Sequence, residues 1–224
     1  MLTTDFFNRD ARVVARALLG KVIRHRYRSA WLACRIIETE AYYLHEKGRH
    51  SSQGLTEKRT AMFMPPGTIY MYYARGGDSL NISVRGKGNA VLIKSGLPWV
   101  DDQSPTTTLR IMRRLNPVKG SGRQRPTNQL CAGQTLLCRA LNLKVPDWDQ
   151  QAFDPDSLYI EDVGNTVPKI IQAPRLGIPP GRDEHLMYRF IDYPYATDCT
   201  SNPLTRRGMA AGVDYRIVRN ATGG

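Results

Sequence analysis

The sequence predicts a single α+β domain over residues 1–224, in which helices flank a mainly antiparallel sheet. Hydrophobic residues make up 41% of the chain, which favours a folded core over disorder. Runs of β-branched and aromatic residues separated by short turns predict a hairpin over residues 21–43 and a three-stranded meander over residues 68–94. No repeat, linker or low-complexity block divides the chain, so one domain is the economical interpretation.

The remaining elements follow in chain order. Residues 3–20 predict one helix, with Asn8 as its N-cap and Gly20 as its stop. The hairpin after it turns at Ser29 and Ala30, and helical spacing of apolar residues predicts further helices over 106–115 and 133–141. Two more strands are expected at 158–161 and 186–191, after which no element is predicted.

The charge of the chain favours a polyanionic partner. Thirty-two Lys and Arg against 20 Asp and Glu give a net charge of +12, although a generic basic surface remains an alternative. Residues 103–146 contain no acidic residue, which favours a phosphate-binding stripe over a merely solvated face. The eight basic residues of this segment are Arg110, Arg113, Arg114, Lys119, Arg123, Arg125, Arg139 and Lys144.

Several classes of protein fit the sequence poorly. The four cysteines have no zinc or redox spacing, so we expect reduced thiols in a cytoplasmic protein, with Cys34 buried as a small hydrophobe. Neither a signal peptide nor an apolar run of about 20 residues is present, so no membrane association is expected. Metal-binding, dinucleotide, P-loop and GxSxG motifs are also missing, which predicts chemistry without a metal or cofactor.

The chemistry is expected on the strand at residues 35–43. Alternation would place Ile36, Glu38, Glu40 and Tyr42 on one face, with the two carboxyl groups about 7 Å apart. Such a pair can divide acid and base roles or bind a metal in a nuclease. We favour a functional role for Glu40, near the open end of the strand, and a structural ion pair of Glu38 with an arginine such as Arg35 or Arg24.

Four aromatic side chains can gather near this carboxylate: Tyr42, His50, Tyr70 and Tyr72. Each alone is more often a packed residue than part of a binding site. Together, in a basic protein, they indicate a flat aromatic or cationic guest.

The sequence resembles the alkyladenine (3-methyladenine) DNA glycosylases of the vertebrate and bacterial type, which lack a helix-hairpin-helix motif. The most specific matches are ETEAY at 38–42 and MFMPPGTIYMY at 62–72. The likeness covers most of the chain in order, and also includes LLG at 18–20, HS at 50–51, LNIS at 80–83, VLIK at 91–94, LCAG at 130–133 and PRLGI at 174–178.

This resemblance implies a role for each matching residue. Glu40 matches the general base that activates water. Tyr42, His50 and Tyr72 match the residues that enclose the flipped base, and Tyr70 supports that pocket. Asn81 matches a residue that crowds the amino group of normal guanine, and Lys94 stands where the family usually has Arg, near the base and the water.

The resemblance implies a curved sheet with a protruding hairpin and a monofunctional enzyme acting as a monomer on double-stranded DNA. Its expected substrates are 3-methyladenine, 7-methylguanine, hypoxanthine and ethenoadenine. A Tyr wedge at the family's hairpin tip is replaced here, so either Arg75 or Tyr73 would intercalate. The basic residues expected on the DNA backbone are Arg110, Arg113, Arg114, Lys119, Arg123 and Arg125. A non-catalytic nucleic-acid-binding module, and more distantly a metal-dependent nuclease, remain the alternatives.

Overall fold

The structure, a computed structural model, describes residues 1–46, 57–74 and 76–220. The helices are α1 (Thr4–Phe7), α2 (Ala11–Leu18), α3 (Thr108–Leu115), α4 (Gln134–Leu141) and α5 (Val145–Trp148), with 3₁₀ helices at Glu57–Phe63, Thr127–Gln129 and Tyr193–Asp198. The strands are β1 (Val22–Tyr27), β2 (Ala30–Tyr42), β3 (Ile69–Ala74), β4 (Gly77–Ser83), β5 (Ala90–Pro98), β6 (Leu158–Glu161), β7 (Lys169–Ala173), β8 (Arg189–Asp192) and β9 (Arg216–Arg219).

These strands form one antiparallel sheet organised around β2. Along one edge β2 pairs with β5; along the other it pairs first with β1 and then, at Glu38–Glu40, with β8. The strand order is β3-β4-β5-β2-β8-β7-β9, and β6 joins the outer edge of β1. The predicted α+β class and antiparallel sheet are therefore confirmed, with the predicted hairpin β3–β4 at one edge.

The N-terminal segment forms two helices, so the prediction of one helix over residues 3–20 was wrong. Helix α1 ends at Phe7, and Asn8, predicted as an N-cap, follows that end. The carboxylate of Asp10 accepts a hydrogen bond from the Arg12 amide (3.0 Å) at the start of α2. An Asp in this position satisfies an amide that the first helical turn leaves unpaired, which fixes where α2 begins.

The prediction of the strands was incomplete in two ways. The turn between β1 and β2 consists of Arg28 and Ser29, one residue earlier than predicted, and Arg28 adopts a left-handed φ of 57°. Strands β7 and β9 were not predicted. They have five and four residues and are held in the sheet by long-range pairing of β7 with β8 and of β9 with β7.

The main hydrophobic core lies between the sheet and helices α2, α3 and α4. It includes Val14 from α2, Met112 from α3, Leu137 from α4, and Ile36 and Leu80 from the sheet. All four cysteines are free thiols, as expected, and Cys34 is fully buried in this core. Within the described ranges, no helix combines the length and the apolar content that crossing a membrane requires.

Candidate active site

Two β-bulges interrupt the pairing of β2 with β5 just before Glu40. One step on β5, from Gly96 to Ser95, corresponds to two steps on β2, which makes Ile37 an extra residue. The next step on β2 corresponds to two on β5, which makes Lys94 the extra residue there. A bulge redirects side chains near the extra residue, so this pair sets the local geometry of the site.

The bulge at Ile37 shifts the alternation of side chains along β2. Cys34 and Ile36 belong to the main core before the bulge, whereas Ala41 and Tyr43 belong to it afterwards. The prediction that Ile36 shares a face with Glu40 was therefore wrong, because the bulge moves the core-facing positions by one residue.

A row of directly paired residues crosses the sheet through Glu40. Tyr70 on β3 pairs with Asn81 on β4, Asn81 with Leu92 on β5, and Leu92 with Glu40. Glu40 pairs in turn with Arg189 on β8. Residues that pair directly share a face, so the sheet brings these five side chains to one side although they are far apart in sequence.

Glu40 is fully buried and its carboxylate has polar partners on several sides. The Tyr42 phenol donates a hydrogen bond to Oε2 (2.6 Å), and the Leu176 amide donates one to Oε1 (3.3 Å). The Lys94 ammonium lies 3.4 Å from Oε1. The predicted base is thus a compensated buried charge, and Lys94 is its ion-pair partner.

The surroundings of Glu40 keep it ionised. Burial raises the pKa of this carboxyl, but the charge of Lys94, the Tyr42 hydrogen bond, the charge of Arg189 and the Leu176 amide together bring its pKa below the ordinary glutamate value. Burial and the neighbouring Glu40 charge raise the pKa of Tyr42 well above the usual range for a phenol. Tyr42 therefore remains a hydrogen-bond donor, and Glu40 an acceptor able to take a proton from water.

The tyrosines of β3 lie on the two faces that alternation predicts. The rings of Tyr70 and Tyr72 stack with centroids 5.2 Å apart, whereas Met71 lies in the main core and Tyr73 is 67% exposed. The Tyr72 phenol is near enough to Tyr42 to raise the pKa of Tyr42. The structure thus brings three of the four predicted aromatics to the side of the sheet that carries Glu40.

Two predicted site residues, His50 and Arg75, lie outside the described residues.

Asn81 is fully buried, donates to the Tyr70 carbonyl (3.3 Å), and its Oδ1 has no hydrogen-bond partner in the described part of the chain.

Glu38 has a structural ion pair, but its predicted partners were wrong. Its carboxylate accepts a hydrogen bond from Nε of Arg189 (2.6 Å), with Ser95 and Thr200 as further donors. The predicted candidates bind other acids, because Arg24 pairs with Asp101 and Glu161, and Arg35 pairs with Asp192.

Sequence reasoning missed Arg175 as a site residue. Its guanidinium lies 4.6 Å from the centre of the Tyr42 ring, donates to the Ala41 carbonyl (3.0 Å) and pairs with Glu46 (2.5 Å). The PRLGI motif gave a signal, since it places Arg175 next to Leu176, but nothing in the chain order indicates that this loop reaches Tyr42.

The basic stripe lies on and after α3. Arg110 and Arg114 line a surface groove of about 520 Å³ together with Trp31, near the start of β2. Glu40 comes nine positions after Trp31 on β2, about 30 Å along an extended strand. Arg113 donates to Thr127 Oγ1 (2.7 Å), and Lys119 and Arg123 are exposed in the loop that follows, where Arg125 is half-buried.

Among the residues that the structure describes, no cluster of His, Cys, Asp and Glu has an arrangement that could hold a metal ion. The chemistry that the arrangement offers is that of a single ionised carboxylate beside a phenol, an ammonium and stacked tyrosines.

The chain belongs to the methylpurine-DNA glycosylase family, whose profile matches residues 5–194. It is accordingly a DNA glycosylase, a hydrolase whose partner is damaged DNA. A relative from Pseudomonas aeruginosa strain LESB58, provisionally named a 3-methyladenine DNA glycosylase, is 63% identical over 97% of this chain and 90% of its own length.

Two further relatives carry the same provisional name. One from Pseudomonas syringae pv. tomato is 63% identical over 97% of this chain and 96% of its own length. One from Methanocella arvoryzae is 33% identical over 86% of this chain and 92% of its own length.

Proposed function

We propose that this protein excises alkylated and deaminated purines from duplex DNA, with Glu40 as the general base. The substrates are 3-methyladenine, 7-methylguanine, hypoxanthine and ethenoadenine. Water activated by Glu40 attacks the anomeric carbon, the N-glycosidic bond breaks, and an abasic site remains. The provisional names of the relatives support 3-methyladenine as one of these bases.

The observation that carries the proposal is the environment of Glu40. The carboxylate is fully buried, and its pKa lies below the ordinary value despite that burial. A base that stays ionised can accept the proton of water as the glycosidic bond breaks. An alkylated purine with a positive charge is already a good leaving group, so one carboxylate suffices for such a base. A neutral base such as hypoxanthine also needs a proton or a hydrogen bond on the leaving base as the bond breaks.

The aromatic residues account for recognition of the base. Tyr42 and Tyr72 enclose the flipped purine with His50, and Tyr70 supports Tyr72 through its stacked ring. Each aromatic face attracts a cationic purine by about 1 kcal/mol. Asn81 crowds the amino group of normal guanine and so contributes to the selection of damaged bases.

The edge hairpin accounts for flipping of the base. A purine inside a duplex is out of reach, so it must rotate out of the stack, which costs a few kcal/mol. Tyr73 is 67% exposed and pairs with Asp78 close to the tip of the β3–β4 hairpin. We infer that Tyr73, with Arg75 as the other candidate, fills the vacated space, while one monomer binds the backbone through its basic stripe.

The reaction stops at the abasic site. Lys94 lies beside Glu40 as the ammonium of an ion pair, and an ammonium has no electron pair with which to attack a sugar carbon. We therefore expect no covalent adduct after borohydride treatment. Appearance of a trapped adduct or of β-elimination products would contradict a purely hydrolytic mechanism.

The test is single-turnover excision from duplex oligonucleotides that carry hypoxanthine, ethenoadenine or a methylated purine, with EDTA present throughout. Glu40→Gln keeps the shape of the side chain and removes the base, so we expect excision to slow by about 10²–10⁴-fold with DNA binding retained. Glu161→Gln is the matched control, because Glu161 pairs with Arg24 away from the site.

The outcomes distinguish the proposal from its alternatives. Excision by wild type and by Glu161→Gln, but not by Glu40→Gln, supports the proposal. Tight binding with no excision of any of the bases would indicate a binding module. Strand cleavage that EDTA abolishes would indicate a metal-dependent nuclease.

A further inference from the structure

A second buried carboxylate, Glu38, lies on the same side of the sheet as Glu40. Glu38 is fully buried, and its partner Arg189 is 2% exposed. A negative charge about 7 Å away in a dry environment acts to raise the pKa of Glu40. A cation that faces both carboxylates would offset this effect in addition to Lys94.

Arg189 is such a cation by its place in the sheet. It pairs directly with Glu40 across β2 and β8, and its Nε donates to Glu38 at 2.6 Å. Its other nitrogens donate to the carbonyls of Ser201 (3.3 Å) and Thr200. The guanidinium is thus fixed in position by backbone as well as by its ion pair.

The C-terminal segment completes this network from outside the region that the family profile matches, which ends at residue 194. The amide of Thr200 donates to Glu38 (3.2 Å), and its hydroxyl also donates to the same carboxylate (3.0 Å). Ser95 donates to Glu38 from β5 (2.5 Å). Glu38 is therefore held by donors from β5, from β8 and from the segment that contains Thr200.

We propose that Arg189 is a positioning residue for Glu40: bound to Glu38 and fixed by Thr200 and Ser201, it supplies a constant positive charge behind the base. The negative charge of Glu38 partly neutralises Arg189 and so sets how strongly the positive charge of Arg189 acts on Glu40. This inference rests on the proposed role of Glu40, which it deepens.

Arg189 differs from the other groups that bear on Glu40. Lys94 contacts the carboxylate directly from β5, whereas Arg189 acts from β8 without a hydrogen bond to Glu40. Among the described residues, the other titratable or charged groups around Glu40 include Tyr42 and Glu38 on β2 and Tyr72 on β3. Arg175 and Glu46 lie beside Tyr42, and Cys199 lies beside Glu38 and Arg189.

The proposal predicts opposite effects for the two partners. Removal of the positive charge in Arg189→Gln should raise the pKa of Glu40, because Glu38 then acts on it without compensation. Removal of the negative charge in Glu38→Gln should lower the pKa of Glu40, because Arg189 then acts on it undiminished. A role limited to packing would not produce shifts of opposite sign.

The experiment is a titration of the free protein labelled with ¹³C at the glutamate carboxyls. The chain has only six glutamates, and the signal of Glu40 is the one that Glu40→Gln removes. We expect the midpoint to move up by about one pH unit in Arg189→Gln, to move down in Glu38→Gln, and to stay near wild type in Arg189→Lys. In single-turnover excision, the acid limb of the pH–rate profile of Arg189→Gln should move to higher pH as well.

Arg35→Gln is the matched control, since it breaks another ion pair between β2 and β8, that of half-buried Arg35 with buried Asp192 (2.7 Å). The inference is overturned if the titration midpoint of Glu40 is the same in Arg189→Gln as in Arg35→Gln. If Arg189→Gln does not fold, Glu38→Gln decides: an unchanged or raised midpoint overturns the inference.

Failure of this inference is distinguishable from failure of the proposed function. Undiminished excision by Glu40→Gln would refute the role of Glu40 itself. Loss of excision in Glu40→Gln, together with an unshifted midpoint in Arg189→Gln, would refute only the role of Arg189.

Discussion

Lys94 shows how the position of one side chain determines its chemistry. As the extra residue of a bulge on β5, it lies 3.4 Å from Glu40 and is only 5% exposed. Related glycosylases are expected to have Arg at this position, which carries the same charge with a forked set of donors. An ion pair with Glu40 needs only the positive charge, which Lys94 also carries.

Lys94→Met tests the importance of this charge. Without the nearby cation the pKa of Glu40 rises, and a larger fraction of the base is protonated at a given pH. We expect single-turnover excision near pH 6 to fall by about 10–100-fold and to recover partly as the pH is raised and Glu40 ionises. Lys94→Arg, which keeps the charge, should lose little activity; an equal loss in both variants at every pH would contradict this account.

The sequence predicted which residues gather near Glu40 better than it predicted the contacts that hold them there. The structure brings Tyr42, Tyr70 and Tyr72 to the side of the sheet that carries Glu40, whereas their roles stay predictions. The partner of Glu38 was not found, because Arg189 is 151 positions away and reaches it only through the pairing of β2 with β8.

The β3–β4 hairpin is the element that the proposed function uses to open the duplex. Near its tip, Gly77 packs closely against Thr135 of α4, and Asp78 accepts a hydrogen bond from the Val145 amide (3.0 Å). Helices α4 and α5 therefore support the hairpin from behind. In the proposed function, this support holds the exposed ring of Tyr73 in place against the stacked bases.

Tyr73→Ala should separate flipping from chemistry. A shorter side chain cannot fill the gap that the flipped nucleotide leaves, so we expect excision from duplex DNA to fall by about 10-fold or more. Excision of the same base from a single strand, where no stack must be opened, should change little. Tyr73→Phe keeps the ring and should behave as wild type; equal losses on both substrates would assign Tyr73 to another role.

Gly77→Ala should loosen the contact between the hairpin and α4. A Cβ at this position would lie 2.3 Å from Cγ2 of Thr135, so one of the two elements must move. We expect the free energy of unfolding, measured by urea titration, to fall by about 1–3 kcal/mol.

Two variants control this measurement. Thr135→Ser removes the nearest methyl group and should recover part of the loss when combined with Gly77→Ala. Gly122→Ala, where a Cβ meets nothing within 4 Å, should change stability little. No difference between Gly77→Ala and Gly122→Ala would mean that the hairpin has room to shift.

At the scale of the whole molecule, the net charge of +12 is unevenly placed along the chain. The basic stripe begins at Arg110, near the start of β2. This point is about 30 Å from the candidate base, which corresponds to roughly nine base pairs of duplex DNA. The proposed contacts at the hairpin and at the stripe would thus require the DNA to extend along β2.

Arg113→Ala tests whether the stripe binds the DNA backbone. Loss of one phosphate contact should weaken binding to damaged and undamaged duplexes alike and reduce the slope of log K against log salt by about 1. Arg12→Ala removes the same charge from an arginine that is already paired with Asp10, and should leave the slope nearly unchanged. Equal slopes in all three proteins would exclude Arg113 from the interface.

The sequence predicted the class of the fold because most strands are long and are separated by turn residues. It missed the break between α1 and α2, which depends on one capping side chain, Asp10. It missed β7 and β9, which are held in the sheet by long-range pairing and carry too little local pattern to be recognised.

The two bulges determine which side of the sheet Glu40 faces. The extra residue on β2 and the extra residue on β5 cancel, so Ile36 with Gly96 and Thr39 with Ile93 follow the same register. An unbulged ladder of the same residues would place Ile36 and Glu40 on the same side of the sheet. The paired bulges therefore turn Glu40 away from the main core and toward the tyrosines of β3 without changing the register of the two strands.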